Sequence, residues 1–161
     1  MQQTLAAPPA EDQVVDAVLS ASRVLVAIAA RSLADVGEEV SLTQYRSLVV
    51  LASRGPQSVA ALAAAVSVTP PTASRMCDRL LKKKLVTRRT DRRDRRQVRI
   101  ALSPVGRQLV DAVTARRRRE IAQVVASIPE ESRGGVVDAL LHLSETAGEV
   151  PEQDWSTGWD M

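Results

Sequence analysis

Aromatic side chains are nearly absent from this chain of 161 residues, which has no Phe, one Tyr and two Trp, although 45% of its residues are hydrophobic. A core must therefore be assembled mainly from Ala, Val, Leu and Ile. Side chains of this kind pack most readily between helices, so the sequence predicts a mainly α-helical protein. The length favours one domain, or two small lobes that share a core.

Cysteine and histidine are also scarce, with one residue of each, Cys77 and His142. A single cysteine excludes an intrachain disulfide. One His and one Cys far apart cannot form a metal cluster or a catalytic triad, and the sequence has no glycine-rich phosphate loop. We therefore expect no metal, no cofactor and no enzymatic activity. Cys77 is interpreted as a small buried hydrophobic residue rather than as a redox sensor.

Long apolar runs and targeting signals are missing as well. No apolar run approaches the roughly 18 residues of a membrane span. The first residues, MQQTLAAPPAEDQ, lack the basic region and apolar stretch of a signal peptide. The sequence thus predicts a cytoplasmic protein that does not associate with a membrane.

Positive charge, in contrast, is plentiful in one region. Twelve Lys or Arg and three Asp lie between Arg75 and Arg99, a net charge of +9 in a chain whose total is +3. The rest of the chain therefore sums to −6. Such segregation favours a polyanionic partner, although a charged face that binds only water has to be considered as the alternative.

Apolar residues at intervals of three and four predict a long helix from Glu11 to about Val36, ended by Gly37. Thr43 is expected to cap a second helix. A later helix is predicted from the Ser103 cap to about Ser127, and Pro129 begins a last helix with one apolar stripe. The end of the chain, from Gly148, reads as a loose acidic tail.

The segment between these helices contains two short helices separated by a tight turn. Ser58 is a good N-cap for the first, over 59–66, and the turn falls at Ser67 and Val68. Thr69 caps the second, which places Pro70 in its first turn. Small polar and basic side chains point outward from this second helix, an arrangement typical of a helix-turn-helix.

Beyond Leu85 the pattern changes to the alternation of β-strands. Residues 86–88 and 97–102 are predicted to pair, with Val98, Ile100 and Leu102 on one face. Between the strands lies TRRTDRRDRRQ, residues 87–97, which carries six Arg and two Asp. This segment is therefore predicted to form the tip of a β-hairpin.

Taken in order, these elements resemble the multiple-antibiotic-resistance regulator family, MarR, over roughly residues 12–147. The most specific stretches are LAAAVSVTPPTASRMCDRLLKKKLV and TDRRDRRQVRIALSPVGR. The Asp-x-Arg arrangement of the family is matched by Asp94, Arg95 and Arg96. Two positions depart from it, because Ser67 and Lys84 stand where the family usually has Gly.

The resemblance implies a mainly α winged helix-turn-helix protein with a two-stranded β-wing and a helical dimerisation lobe. The expected boundaries are a flexible tail over 1–10, a DNA-binding lobe over 41–103, and an acidic tail over 148–161. The dimerisation lobe is expected to combine 11–40 with 104–147. A homodimer would supply two half-sites to double-stranded DNA with a pseudo-palindromic operator. A monomer that folds these helices on itself is the alternative.

The expected DNA contacts follow from position. Arg96 is expected to enter the minor groove with Asp94 orienting it, as the resemblance implies, and Arg75 to read a guanine. Other side chains are expected to contact phosphates or thymine methyl groups. The full set of expected contacts is Ser58, Thr69, Pro70, Pro71, Thr72, Ser74, Arg75, Arg79, Arg92, Arg93, Asp94, Arg95 and Arg96.

A small aromatic or anionic effector is expected between the lobes, where relatives bind theirs, near Arg31, Tyr45, Leu48 and Val113. Arg117 falls in an apolar stripe and needs a partner, either such a ligand or an internal salt bridge. These observations predict a sequence-specific transcriptional regulator, a repressor released by its effector. The rival hypotheses are an architectural protein that coats DNA without sequence preference and an interaction module without DNA binding.

Overall fold

The computed structural model describes residues 9–35, 40–90 and 98–158. Within these ranges the chain forms six α-helices, one two-stranded antiparallel sheet and a C-terminal 3₁₀ segment. The order is α1 (Glu11–Ala34), α2 (Leu42–Arg54), α3 (Val59–Ala65), α4 (Pro70–Lys82), β1 (Val86–Thr90), β2 (Val98–Leu102), α5 (Pro104–Val125), α6 (Glu130–Thr146) and the 3₁₀ segment Glu152–Gly158. The predicted mainly α, winged helix-turn-helix fold is confirmed.

Helix α2 is the centre of the core. Eight of its thirteen residues are buried, including Leu48 and Leu51, because α3, α5, β2 and the 3₁₀ segment all pack against it. The core also takes in Leu62 of α3 and Val113 of α5. Aliphatic and alanine side chains supply nearly all of this interior, as the shortage of aromatics predicts.

Side-chain hydroxyl groups fix where several helices begin. Ser58 and Ser103 accept hydrogen bonds from the backbone N–H of Ala61 and Gly106, as predicted for helix N-caps. The predicted cap of α2 is wrong by two residues. Ser41, not Thr43, accepts from Gln44 N, while the Gln44 side chain accepts from Ser41 N, so the two form a capping box.

The two strands pair over five residues each, from Val86 opposite Leu102 to Thr90 opposite Val98. Gln57 extends the sheet, because its N–H and C=O both bond to the backbone of Ile100. The predicted inward face of β2 is correct for Ile100 and Leu102 and wrong for Val98. Val98 is 53% exposed because it lies at the outer end of the strand, beyond the core.

Helices α1 and α6 leave large apolar areas uncovered. Helix α6, described throughout its length, buries no residue, and Leu140, Leu141 and Leu143 are about half exposed. Helix α1 packs on α5 yet exposes Leu19, Val26 and other apolar side chains. Such surface normally contacts a partner.

By length and composition alone, α1 reaches the level of a membrane span, with a mean hydropathy of 1.6 over 18 residues. This differs from the sequence prediction that no apolar segment is long enough to span a membrane. Asp16 and Arg23 interrupt the apolar run in the sequence, but the average over the helix remains high. It is the one such helix found among the described residues.

The chain does not continue from α6 as a loose tail. Residues 148–155 turn back onto α2 and α5, and Trp155 packs against the core. The sequence pattern could not reveal this docking, because its contacts join residues about a hundred positions apart.

Candidate nucleic-acid interface

Helices α3 and α4 form the predicted helix-turn-helix. Ser67, in the turn between them, has φ of 54°, the left-handed conformation that glycine adopts most easily. The turn is closed by the hydrogen bond from Val68 N to the carbonyl oxygen of Ala63, at 3.0 Å. Ser67 thus takes the backbone conformation that explains why glycine is common at this position.

The two faces of α4 separate cleanly. Ala73, Met76, Cys77 and Leu80 are buried, as predicted. The opposite face is exposed and carries the side chains expected to contact DNA: Thr69, Pro70, Pro71, Thr72, Ser74, Arg75 and Arg79.

The first turn of α4 is chemically unusual for a helix N-terminus. Pro70 and Pro71 have no N–H, so this end offers fewer backbone donors to a phosphate than most helices do. The Thr69 hydroxyl bonds to the Thr72 hydroxyl at 2.9 Å and makes no cap hydrogen bond to the backbone. The surface presented here is therefore compact, apolar and edged by hydroxyl groups, and it suits a thymine methyl group better than a phosphate.

A groove of about 380 Å³ separates the N-terminus of α2 from the exposed side of α4. Ser41, Thr43 and Gln44 line one wall, and Arg75 and Arg79 line the other. Sequence reasoning missed the α2 side of this surface. The S-x-x-Q capping box of residues 41–44 could have indicated this surface, because it places hydroxyl groups at the start of a helix.

The base of the wing is tied to α4. Arg88 of β1 forms a salt bridge with Asp78 of α4 at 2.9 Å, a contact that the sequence analysis did not anticipate. Lys84, just after α4, has φ of 58°, as expected if it replaces a glycine there. Its carbonyl oxygen accepts a 2.6 Å hydrogen bond from the Ser103 hydroxyl.

Gly106 closes the same junction from the α5 side. It is buried, and a Cβ atom added to it would overlap the carbonyl oxygen of Leu85. The end of α4, the root of the wing and the first turn of α5 are therefore held together by backbone contact.

The tip of the wing lies outside the described residues, and with it Arg92, Arg93, Asp94, Arg95 and Arg96. The described residues on either side of this segment, Thr90 and Val98, pair with each other. The structure therefore leaves their roles as predictions.

Cys77 is 1% exposed on the inner face of α4. Burial raises the pKa of its thiol, and the nearby Asp78 raises it further. The thiol is therefore protonated and enclosed, as expected of a hydrophobic core residue.

The residues expected near a ligand divide into two groups. Tyr45 and Arg117 meet at the boundary of α2 and α5, where Thr114 also reaches the phenol group. Leu48 of α2 and Val113 of α5 are both 0% exposed and belong to the hydrophobic core. Arg31 lies elsewhere, bonded to Glu120 through both Nε and Nη2.

The run of four arginines in α5 points around the helix as its spacing predicts. Arg116 pairs with Asp35, and Arg118 pairs with Glu152 at 3.1 Å, while Arg119 is exposed. Arg117 reaches Tyr45, and among the described residues its buried Nε has no hydrogen-bond acceptor.

Burial raises the pKa of Tyr45, while hydrogen bonds with Thr114 and Arg117 and the Arg117 charge lower it in part. Beside this contact, α5, α6 and residues 149–155 enclose a cleft of about 640 Å³ whose wall includes Arg117, Ile121, Leu141 and Trp155.

Residues 40–98 match the sequence model of the MarR family. The HTH-type transcriptional regulator MT0903.1 of Mycobacterium tuberculosis is 33% identical over 94 residues, which are 58% of this chain and 66% of the relative. The matched region thus spans just under two thirds of that relative's length.

Solved structures resemble nearly the whole chain. RV1404 from Mycobacterium tuberculosis is 40% identical with a TM-score of 0.81, covering 91% of this chain and 99% of that one. A MarR family protein from Bacillus stearothermophilus shares the fold at 21% identity and a TM-score of 0.71, with 88% and 100% coverage. Bordetella bronchiseptica BpsR, whose DNA binding is regulated by 6-hydroxynicotinic acid, shares it at 24% identity and 0.61, with 86% and 98% coverage.

Proposed function

Because the chain belongs to the MarR family, we propose that it is a homodimeric, sequence-specific DNA-binding transcriptional regulator that acts as a repressor and has no enzymatic role. The observation that carries this proposal is the exposed face of α4. That face presents hydroxyl groups, two proline rings and two arginines on a helix whose other side is anchored in the core. The lobe boundaries given by the sequence form part of the proposal.

On DNA, α4 enters the major groove by its N-terminal half. Arg75 donates to a guanine, Pro71 and Thr72 contact thymine methyl groups, and Thr69, Pro70 and Ser74 pack along the groove.

Ser58 and Arg79 contact phosphates. The hydroxyl groups of Ser41 and Thr43 are proposed as further phosphate contacts, because they line the same groove as Arg79.

The wing supplies the second reading element. Arg96 enters the minor groove, held by Asp94, while Arg92, Arg93 and Arg95 neutralise phosphates. The salt bridge between Arg88 and Asp78 supports this role, since it fixes the root of the wing against α4. Both elements then approach the DNA as one unit.

Dimerisation is supported by the uncovered apolar surface of α1 and α6. A second copy that pairs these helices about a two-fold axis would bury that surface and place two α4 helices on successive half-sites. The apolar composition of α1 is consistent with this use, because helices buried between two chains of a homodimer are more apolar than exposed ones.

A small aromatic or anionic effector is proposed to bind beside Tyr45 and Arg117. A phenol group next to a guanidinium with an unpaired N–H suits a planar carboxylate. Leu48 and Val113 would form the apolar floor, whereas Arg31, which is bonded to Glu120, is left out of this site. A ligand that changes the angle between the lobes would release the DNA.

The experiment that tests this function compares binding to the DNA flanking the coding region with binding to random DNA. A dimer carries two +9 segments, which can neutralise about eight to twelve phosphates, so log K is expected to fall with log [salt] at a slope on the order of −7 to −11. Regulators typically favour their operator by roughly 10³-fold or more.

Two variants separate a regulator from an architectural protein. Arg95→Ala should weaken operator and random DNA equally and reduce the salt slope by about two per dimer. Arg75→Ala should weaken the operator by more than it weakens random DNA. If each variant loses the same factor of affinity for the operator as for random DNA, the result would instead support an architectural protein that reads no sequence through Arg75.

A further inference from the structure

The chain returns to the DNA-binding lobe after α6, through residues 148–155, here termed the strap. The return begins at Gly148, whose φ of 68° ends the helix in a left-handed turn. The N–H groups of Gly148 and Glu149 bond to carbonyl oxygens of Glu145 and Ser144 in the last turn of α6. The strap is therefore attached rigidly to the end of that helix.

Two arginines of α2 hold the beginning of the strap. Both Nη atoms of Arg46 bond to the carboxylate of Glu149, at 2.7 and 2.5 Å, in a bidentate pair. Arg54 donates to the carbonyl oxygen of Gly148 at 3.1 Å. Because Arg46 and Arg54 are eight residues apart, they lie two turns apart on the same side of α2.

The far end of the strap is fixed by Trp155 and by α5. The Trp155 indole packs against the core, and its Nε1 donates to the carbonyl oxygen of Val150 at 3.0 Å. Glu152 forms a salt bridge with Arg118 of α5 at 3.1 Å. The strap therefore contacts α2, α5 and the end of α6.

These contacts matter because α6 has little else to orient it. The structure describes α6 completely, and none of its residues is buried. The strap gives the free end of this helix a second attachment, directly to the central helix of the DNA-binding lobe.

We propose that the strap is a positioning clamp that sets the angle between α6 and the DNA-binding lobe. The clamp has a specific consequence that rests on the proposed function. In a dimer paired through α6, that angle sets the separation of the two α4 helices and hence the half-site spacing that the protein accepts. Arg46, Glu149 and Trp155 are its positioning residues.

The clamp can be tested without DNA. Spin labels are attached at Ala60→Cys in α3 and Asp138→Cys in α6, both exposed positions, in a Cys77→Ala background. Labelled protein is mixed with excess unlabelled protein so that pulsed electron resonance reports the distance within one chain. We expect one narrow distance distribution with an intact strap and a broadened or shifted one in Glu149→Gln and in Trp155→Ala.

Glu131→Gln is the matched control, since it removes the same charge from an exposed position in the first turn of α6. It should leave the distribution narrow, and circular dichroism should show equal helix content in all variants. Equally narrow, unshifted distributions in Glu149→Gln and Trp155→Ala would overturn the clamp.

Binding to DNA then tests the consequence separately. If about a tenth of the molecules of a strap variant have the α6 angle that fits the operator, the Kd for the operator rises about tenfold. The preference for one half-site spacing then weakens as well. An unchanged spacing preference in both variants, with a broadened distance distribution, would overturn the proposed consequence that the clamp sets the half-site spacing. A wild-type protein that shows the narrow distance distribution yet does not distinguish operator from random DNA contradicts the proposed function and leaves the clamp supported.

Discussion

At the scale of single residues, the contact between Tyr45 and Arg117 has the clearest electrostatic consequence. The phenol is buried where α2 meets α5, and burial disfavours its ionised form. Arg117 acts in the opposite direction, because a guanidinium and its N–H groups stabilise a phenolate. The balance leaves the pKa of Tyr45 above its ordinary value.

Tyr45 is the single tyrosine of the chain, so its ionisation can be followed by ultraviolet absorbance near the phenolate band. We expect a pKa above about 10, the usual value for tyrosine. Arg117→Leu should raise it further, because the group that lowers it is removed, whereas Arg119→Leu, at an exposed site on the same helix, should not. A lower pKa in Arg117→Leu would contradict the contact.

The same shift has a consequence for stability. A folded-state pKa raised above the unfolded value gives a contribution that is complete below the unfolded pKa and is lost as the pH rises through the folded pKa. We therefore expect the contribution of Tyr45 to the free energy of unfolding to be independent of pH near neutrality, and to be lost only above pH of about 10.

At the scale of elements, the sequence predicted the features that depend on neighbouring residues, such as the buried face of a helix and its N-cap. The alternation of buried and exposed residues along α4 follows from helical spacing, and the caps at Ser58 and Ser103 follow from hydroxyl groups before an apolar run. The salt bridge from Arg88 to Asp78 and the docking of Trp155 depend on tertiary distance, which no local pattern encodes. The DNA contacts predicted from the sequence remain predictions.

The end of α4 offers a test of the departure from glycine. Lys84 has φ of 58°, a conformation that costs an L-residue roughly 1–2 kcal/mol. A glycine at this position would relieve that strain, but it would also give the unfolded chain more conformational freedom, which offsets part of the gain. Lys84→Gly should therefore raise the free energy of unfolding by up to about 1 kcal/mol in urea titrations.

Lys83→Gly is the control for this substitution, because Lys83 has an ordinary φ of −78° and loses the same side-chain charge. It should lower stability by about 0.5–1 kcal/mol. If the two variants change stability in the same direction, backbone strain at Lys84 does not account for the effect.

At the scale of the whole molecule, charge and apolar surface are arranged for different partners. The segment from Arg75 to Arg99 has a net charge of +9 and the remainder −6. The uncovered apolar residues lie mainly on α1 and α6, away from the basic segment in sequence. One region thus suits a polyanion, while the other suits a second protein chain.

The proposed dimer can be weakened at one position of α6. Leu140 is half exposed and lies one turn from Leu143, so that the two form an apolar stripe on α6. An aspartate at position 140 would bury an unpaired charge in the interface. Leu140→Asp should shift sedimentation equilibrium toward monomer, whereas His142→Asp, on the opposite side of the helix, should not. A dimer equally tight in both variants would contradict pairing through this stripe.

The buried junction at Gly106 also has a genetic consequence. Every codon one nucleotide away from a glycine codon specifies glycine, a stop or a residue with a Cβ atom, and that atom would overlap the Leu85 carbonyl. In a random mutant library selected for folded protein, position 106 should therefore remain glycine. Gly134 and Gly135 should vary freely, because an added Cβ meets nothing within 4 Å at either position. We therefore expect glycine at position 106 to be retained for packing alone, even under selection that never requires the protein to bind DNA.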